Sequence, residues 1–150
     1  MRSSRWPAPA KLNLFLHIIG KRTDGYHLLQ TVFQFIELTD KIDFTITESG
    51  LIKRNRNSSV VDENNDLVIK AAKKIKQISG SKLGVEISVE KNIPIGAGLG
   101  GGSSDAATTL VALNELWHVG LSTEELIKIG LSLGADIPFF INGRAAWSEG

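Results

Sequence analysis

Residues 94–104 read Pro94-Ile95-Gly96-Ala97-Gly98-Leu99-Gly100-Gly101-Gly102-Ser103-Ser104. Five of the chain's 15 glycines fall between Gly96 and Gly102, so backbone freedom is concentrated in one loop. Glycine lets main-chain N–H groups approach a ligand closely and adopt positive φ. A helix is predicted to start at the loop's end, capped by Ser103 or Ser104 and running to about Trp117, with Ala107, Leu110, Leu113 (or Val111) and Trp117 facing the core. The unpaired amides of its first turn and the positive end of its dipole then point the same way, which makes an anion site without a cation. Both serines can donate to the anion's oxygens. Asp105 suits the dipole, but it repels an anion unless it points away.

Three readings of the loop compete. The pattern GxxxxGK[ST] is absent, because no lysine follows the glycines. Gly96, Gly98 and Gly101 fit GxGxxG, but the context is wrong for a dinucleotide site. The preceding run Val85-Glu86-Ile87-Ser88-Val89-Glu90 alternates like a half-exposed strand, not a buried parallel one. The acidic candidates Glu124 and Glu125 sit at a helix start. A flexible surface loop is the third reading, and the abutting helix start with two capping serines speaks against it.

Outward from the loop, residues 12–19 read as a strand with Leu12, Leu14, Leu16 and Ile18 on one face and Asn13 and His17 on the other. A turn is expected over 20–25, a second strand over 31–38, and a third over 41–47 with Ile42, Phe44 and Ile46 inward. Residues 50–65 are polar and predict a loose connection with a short strand at most. Asp66 caps a helix to about Ile78 with a stripe of Leu67, Ala71, Ile75 and Ile78, and Gly80 ends it. Ser122 opens a capping box for a helix over 123–133, which Gly134 ends. Residues 136–140 read as irregular, and 144–148 as the start of a strand. Strands first, then helices interleaved with a strand, predict an α+β fold in one domain, a mainly antiparallel sheet with helices packed on one face.

Hydrophobic residues at 42% and charged residues at 22% fit a globular domain. A net charge of +1 lacks the basic excess of a nucleic-acid binder. Without cysteine, disulfides, thiolate metal sites and Cys nucleophiles are excluded. The three histidines are scattered without ligand spacing, so no protein-held metal is expected; His17 and His118 read as structural. No apolar run reaches the ~18 residues of a membrane span. The N-terminus leads to Pro7 and Pro9 rather than to an apolar signal core, so a cytoplasmic protein is expected. Trp6 and Trp117 read as packing residues, and Lys73, Lys74 and Lys76 as a solvated helix face.

The glycine loop, the runs Trp6-Pro7-Ala8-Pro9-Ala10-Lys11-Leu12-Asn13 and Arg22-Thr23-Asp24-Gly25-Tyr26-His27, continuing to Phe33-Gln34, and the run Leu133-Gly134-Ala135-Asp136-Ile137-Pro138-Phe139-Phe140 together resemble the GHMP kinases. They resemble most the branch acting on a CDP-linked methylerythritol in the non-mevalonate route to isoprenoid precursors. The resemblance covers essentially the whole chain. It implies the GHMP-kinase N-terminal domain, a fold shared with domain 2 of small-subunit ribosomal protein 5. It also implies ATP-dependent phosphorylation of the substrate's 2-hydroxyl, with Mg²⁺ held mainly by the ATP phosphates and no nucleic-acid or membrane partner.

Residue by residue, the resemblance assigns Lys11 and Asp136 to catalysis. It assigns Pro94, Gly96, Ala97, Gly98, Leu99, Gly100, Gly101, Gly102, Ser103 and Ser104 to ATP, with Lys91, Asp66 and Leu67 at its adenine, and Asn13, Tyr26, His27 and Phe33 to the substrate. The family pattern carries Asn where this chain has Asp66. The chemistry fits these roles. A carboxylate at Asp136, flanked by apolar residues, is costly unless paired, and it can take the proton of an attacking hydroxyl. An ammonium at Lys11 offsets charge on the transferred phosphoryl group. Tyr26 and His27 offer stacking and polar edges to a nucleobase. Each also has a structural reading: a turn aspartate, a strand-flanking lysine and a turn-flanking core aromatic. Residues 1–150 are expected to be the N-terminal half of a two-domain enzyme. Rival readings are a catalytically weak nucleotide-binding fragment and an RNA-binding module on the shared fold, which the near-neutral charge disfavours.

Overall fold

A computed structural model describes residues 2–21, 27–55, 66–96 and 98–149, and among these the side chains of 3–12, 34–55, 66–96 and 98–143. The first two strands, β1 (Arg2–Lys21) and β2 (His27–Thr47), are longer than the sequence predicts. The strands expected over 31–38 and 41–47 are one, because β2 pairs antiparallel with β1 from Ile46 to His27. Register shifts between Pro9/Lys11, Asn13/Phe15 and Ile18/Gly20 bend this ladder without ending it, as bulges do. Leu12, read as part of the apolar face of this strand, is 44% exposed. It lies just past the first of these shifts, where a change of register re-aims side chains. The faces assigned to Leu14, Leu16, His17 and Ile18 lie outside the described side chains.

β3 (Ile52–Asn55) and β4 (Gly84–Glu90) complete a sheet of order β1-β2-β4-β3, in which only the β3–β4 pairing is parallel. β3 is the short strand allowed for in the polar connection; residues 56–65 lie outside the described ones. Period-two alternation puts Ile42, Phe44 and Ile46 of β2 opposite Val89, Ile87 and Val85 of β4. All but the half-buried Val89 sit in the core. The outer face is polar, with Arg5 forked onto Asp43 at 2.9 and 3.0 Å, an exposed pair that contributes little.

α1 (Leu67–Ser79) is capped by Asp66, whose carboxylate accepts from the amides of Val68 and Ile69, and it ends at Gly80 in the left-handed conformation. Its buried stripe is Val68, Ile69, Ala71, Ala72 and Ile75, while the predicted Ile78 is 48% exposed. Core packing selects the face starting at Val68, one residue round from the predicted one. Lys76 departs from the expected solvated face. Its ammonium donates to the carbonyls of Ser81 and Leu83 at 2.8 and 2.7 Å and lies 5.6 Å from the Trp117 ring centre. It thereby closes the end of α1, as a cation near a helix C-terminus does.

α2 (Gly101–Leu116) begins earlier than predicted. Its N-cap is Gly100 at φ 72°, with no side-chain cap bond, not Ser103 or Ser104. The Ser104 amide already donates to Gly100 O at 2.8 Å, so the serines lie inside the first turn. Ala107, Leu110, Leu113 and Trp117 are buried as expected. Trp117 donates its indole N–H to Gly84 O at 3.2 Å, and half-buried Trp6 donates to the Ser4 hydroxyl at 3.0 Å. His118 is exposed, at positive φ just after the helix.

α3 (Thr123–Leu133) has the predicted capping box between Ser122 and Glu125. The irregular stretch and strand expected after Asp136 are instead one helix, α4 (Ile137–Glu149). Pro138 is tolerated because the first turn's N–H groups have no intrahelical partner. Ile137, Phe140 and Ile141, spaced as i, i+3 and i+4, are buried. Among the described residues no helix is long and apolar enough to cross a membrane.

α3 and α4 meet at Gly130, where an added Cβ would lie 2.7 and 2.8 Å from Ile137 Cγ2 and Ile141 Cδ1. Both isoleucines are buried and have little room to yield. Gly130→Ala gains about 1 kcal/mol of helix propensity but overpacks this contact at a cost of about 1–3 kcal/mol. Net destabilisation is expected as a lowered urea midpoint; an equal or higher midpoint would contradict this packing.

Candidate functional site

The site is built where β1, the glycine loop and α4 converge. The Lys11 amide, at the bulged point of β1, donates to Leu99 O at 2.9 Å. The Lys11 side chain is buried. A Cβ at Gly100 would meet the Phe140 ring at 2.8 Å and Lys11 Cγ at 3.1 Å. Phe140 lies one turn into α4, and half-buried Asp136 stands immediately before that helix. The fold thus brings Lys11, the glycine loop and the start of Asp136's helix to one place, although they are far apart in sequence.

Within the loop, Gly96, Gly98 and Gly100 have φ of 77°, 75° and 72°. Left-handed residues at alternating positions are the backbone arrangement that gathers amides into an anion-binding concavity. The N-terminus of α2 opens beside them. In its first turn the Ser104 hydroxyl is buried and has no hydrogen-bond partner. An orphaned buried donor at a helix N-terminus fits a phosphate oxygen or a phosphate-bound cation. No cluster of three His, Cys, Asp or Glu is found among the described residues.

Beneath the loop, buried Asp40 and Asp105 meet the partly exposed Lys91 side chain, and the sequence reading missed Asp40 and this connection. Asp40, fully buried in β2, accepts from Lys91 Nζ at 2.6 Å and from the amides of Asn92 and Ile93 at 2.7 and 2.8 Å. Lys91 Nζ also reaches Asp105 Oδ2 at 2.9 Å. Burial alone would raise Asp40, but hydrogen bonds from Asp105, Lys91 and the two amides outweigh it and hold its carboxyl below the usual range. Burial likewise works against the charge on Lys91, and the two carboxyls raise it above the usual lysine value nonetheless. Asp105 takes the opposite course. Burial, then its hydrogen bond to Asp40, push it to about 8 against the pull of Lys91, so it is protonated at neutral pH. Its Oδ1 is buried without a partner as an ionised acceptor, and a proton turns it into a donor. A lone aspartate between two predicted strands gave no signal for Asp40.

The remaining assigned residues divide. Buried Asp66 caps α1 and is paired with half-buried Arg54 of β3. Leu67 is half-buried in the same turn. Pro94, Gly96 and Gly98 are exposed, Leu99 and Ser103 half-buried; Ala97 lies outside the described residues. Gly102 is exposed in the first turn of α2. Asn13 and Phe33 are partners in the β1–β2 ladder, as are Lys21 and His27. Their side chains, and Tyr26 altogether, lie outside the described residues.

Fold and site define an α+β domain that presents a glycine-rich loop at the N-terminus of a buried helix. The GHMP kinases N terminal domain matches residues 66–144, and the chain belongs to the GHMP kinases. It is 62% identical over 149 residues to a 4-diphosphocytidyl-2-C-methyl-D-erythritol kinase of Shewanella baltica (strain OS155), covering 99% of this chain and 52% of that protein. A protein of the same name from Ruthia magnifica is 57% identical over 148 residues, with the same coverage. A crystal structure of 4-(cytidine 5'-diphospho)-2C-methyl-D-erythritol kinase superposes with a TM-score of 0.81 at 40% identity, over 93% of this chain and 49% of that one. The Methanococcus jannaschii mevalonate kinase shares the fold at 19% identity and a TM-score of 0.65, over 88% of this chain and 46% of its own. The chain spans about half the length of the curated relatives it matches.

The buried neutral Asp105 has a consequence for stability. Between about pH 4, where an unfolded aspartate ionises, and about pH 8, only the folded chain keeps this proton. The contribution of Asp105 to stability therefore falls as pH rises through that window. Asn at this position does not titrate. The stability of Asp105→Asn relative to the wild type should climb between pH 5 and pH 8 in urea unfolding; a constant difference would contradict a neutral Asp105.

Proposed function

We propose that the protein is an ATP-dependent kinase that phosphorylates the 2-hydroxyl of 4-diphosphocytidyl-2-C-methyl-D-erythritol, a step in the non-mevalonate route to isoprenoid precursors, in the cytoplasm. The observation that carries this reading is the 62% identity, along 99% of the chain, to proteins named for that kinase activity. The geometry supports it: a glycine loop, a helix N-terminus and an orphaned serine hydroxyl form a place for phosphates beside Lys11.

In this reading the loop from Pro94 to Ser104 wraps the phosphates, and Leu67 lies on the adenine side. Asn13, Tyr26, His27 and Phe33 take the cytidine-linked substrate. Asp136 accepts the proton of the attacking hydroxyl, and Lys11 offsets charge that builds on the transferred group. ATP, when bound, supplies the γ-phosphoryl group, with Mg²⁺ partly neutralising its phosphates. No covalent phosphoenzyme forms, and catalysis rests on positioning and electrostatics.

Asp136→Asn in the intact protein should lower kcat about 10²–10⁴-fold, the usual weight of a general base, with ATP affinity little changed. Phosphoryl transfer from ATP to the diphosphocytidyl substrate is the assay. Unchanged turnover would remove Asp136 from catalysis, and no transfer by the wild type would refute the proposed reaction.

A further inference from the structure

We propose that Asp40, Lys91 and Asp105 form a clasp that sets the curvature of the glycine loop, so that Lys91 acts on the triphosphate through the loop and does not read adenine. The proposal rests on the nucleotide-binding reading above and reassigns one residue within it.

The contacts pin both ends of the loop. Asp40 binds the amides of Asn92 and Ile93 at the entry, at 2.7 and 2.8 Å. Its partner Lys91 reaches over to Asp105, in the second turn of α2 at the exit. The ammonium passes so close to the helix start that an added Cβ on Gly101 would lie 3.4 Å from Nζ. One lysine between two carboxyls thus fastens the strand before the loop to the helix after it, and β2 supplies the anchor. A third tie, from the Lys11 amide to Leu99 O, holds the loop's middle. Between these fixed points Gly96, Gly98 and Gly100 keep their left-handed conformation, free of the clasp.

The charge balance fits a role beneath phosphates. A cation at a helix N-terminus is unfavourable by itself, and here it is held by two carboxyls. The charged groups that act on Asp105 are Asp40 from β2 and Lys91 from the end of β4; Lys11 of β1 touches the loop at Gly100. With Asp105 protonated, the cluster of one ammonium, one carboxylate and one carboxylic acid has no net charge. It neither repels a triphosphate nor competes for it. This also explains how an aspartate can stand so near a phosphate site: it turns inward and stays neutral. Ionisation of Asp105 places an extra negative charge under the loop and loosens phosphate binding.

The test measures ATP, GTP and inorganic tripolyphosphate binding by the intact protein, wild type and variants, with amide hydrogen exchange on the same samples. Lys91→Met is expected to weaken all three ligands by a similar factor, about tenfold or more, leaving the ATP/GTP ratio unchanged. The Ile93 and Ser104 amides should exchange at least tenfold faster, while Ile75 in α1 does not change. Asp105→Asn should keep wild-type affinity at pH 7 and abolish the weakening that the wild type shows between pH 7.5 and 9. Should Lys91→Met fail to fold, the double variant Asp40→Asn/Lys91→Met carries the same comparison without an unpaired buried carboxylate. Loss of ATP over GTP discrimination with tripolyphosphate affinity retained would overturn the proposal, because Lys91 would then read adenine. Unchanged exchange at Ile93 and Ser104 would overturn it as well. If the wild type binds none of the three ligands, the nucleotide-binding reading fails, and the exchange data still decide the clasp.

Discussion

Gly100 is the point on which this architecture turns. Its φ of 72° starts α2 without a capping side chain. A methyl group there would strike the Phe140 ring at 2.8 Å and Lys11 Cγ at 3.1 Å. Two independent demands therefore fall on one residue, a left-handed backbone and the absence of a Cβ, and only glycine meets both. With it, β1, α2 and α4 close on one spot. Without it, either the helix starts elsewhere or α4 moves off the loop and away from Lys11.

The helix that starts there is buried almost all round. Ser104 through Leu110 are all buried, as are Ala112, Leu113 and Leu116. It packs against α1, α3 and α4 as well as β1 and β2. Small side chains make that possible: Ala106, Ala107, Thr108, Thr109 and Ala112 let neighbours approach closely. Thr109 satisfies its hydroxyl on the Asp105 carbonyl at 2.8 Å. A central helix of this kind shows little side chain to solvent, so its first turn is held by the core as well as by the loop. That rigidity suits an anion site, whose amides must be aimed before the ligand arrives.

The elements with local signals were legible. Asp66, Ser122, Gly80 and Gly134 carry the chemistry of helix ends in their own side chains or lack of them, and the caps stand where those residues are. Alternation at Ile42, Phe44 and Ile46 gave the inward face of β2. The misses arose where a distant partner decides. Ser103 and Ser104 looked like caps, but Gly100 took that place because α4 and Lys11 crowd the turn. α4 was hidden by Pro138 and by Gly143, although Ile137, Phe140 and Ile141 carry the helical period. In the site, the glycine loop was visible as a run. Asp40 was not, because its role exists only once Lys91 and Asp105, far away in sequence, are folded against it. Lys11 and Asp136 were paired by the resemblance alone, since nothing in their local sequence links them.

What fixes the proposed catalytic pair relative to each other is apolar. Phe35 is the ladder partner of Lys11. Its ring stacks on Phe139 with centres 4.7 Å apart and tilts against Phe140 at 5.7 Å; Phe139 and Phe140 meet edge-on at 5.3 Å. Such pairs contribute about 0.5–1.5 kcal/mol each beyond the area they bury. More to the point, they are directional. The three rings fasten the first turn of α4 to β2 beside Lys11, and Asp136 stands immediately before that turn. A single ion pair resists separation but tolerates rotation, and its long side chains hold many geometries. Interlocked rings tolerate neither. Phosphoryl transfer needs a base held in line with its acceptor more than it needs attraction between charges. In the proposed reading, aromatic packing at the start of α4, more than an ion pair, aims the base.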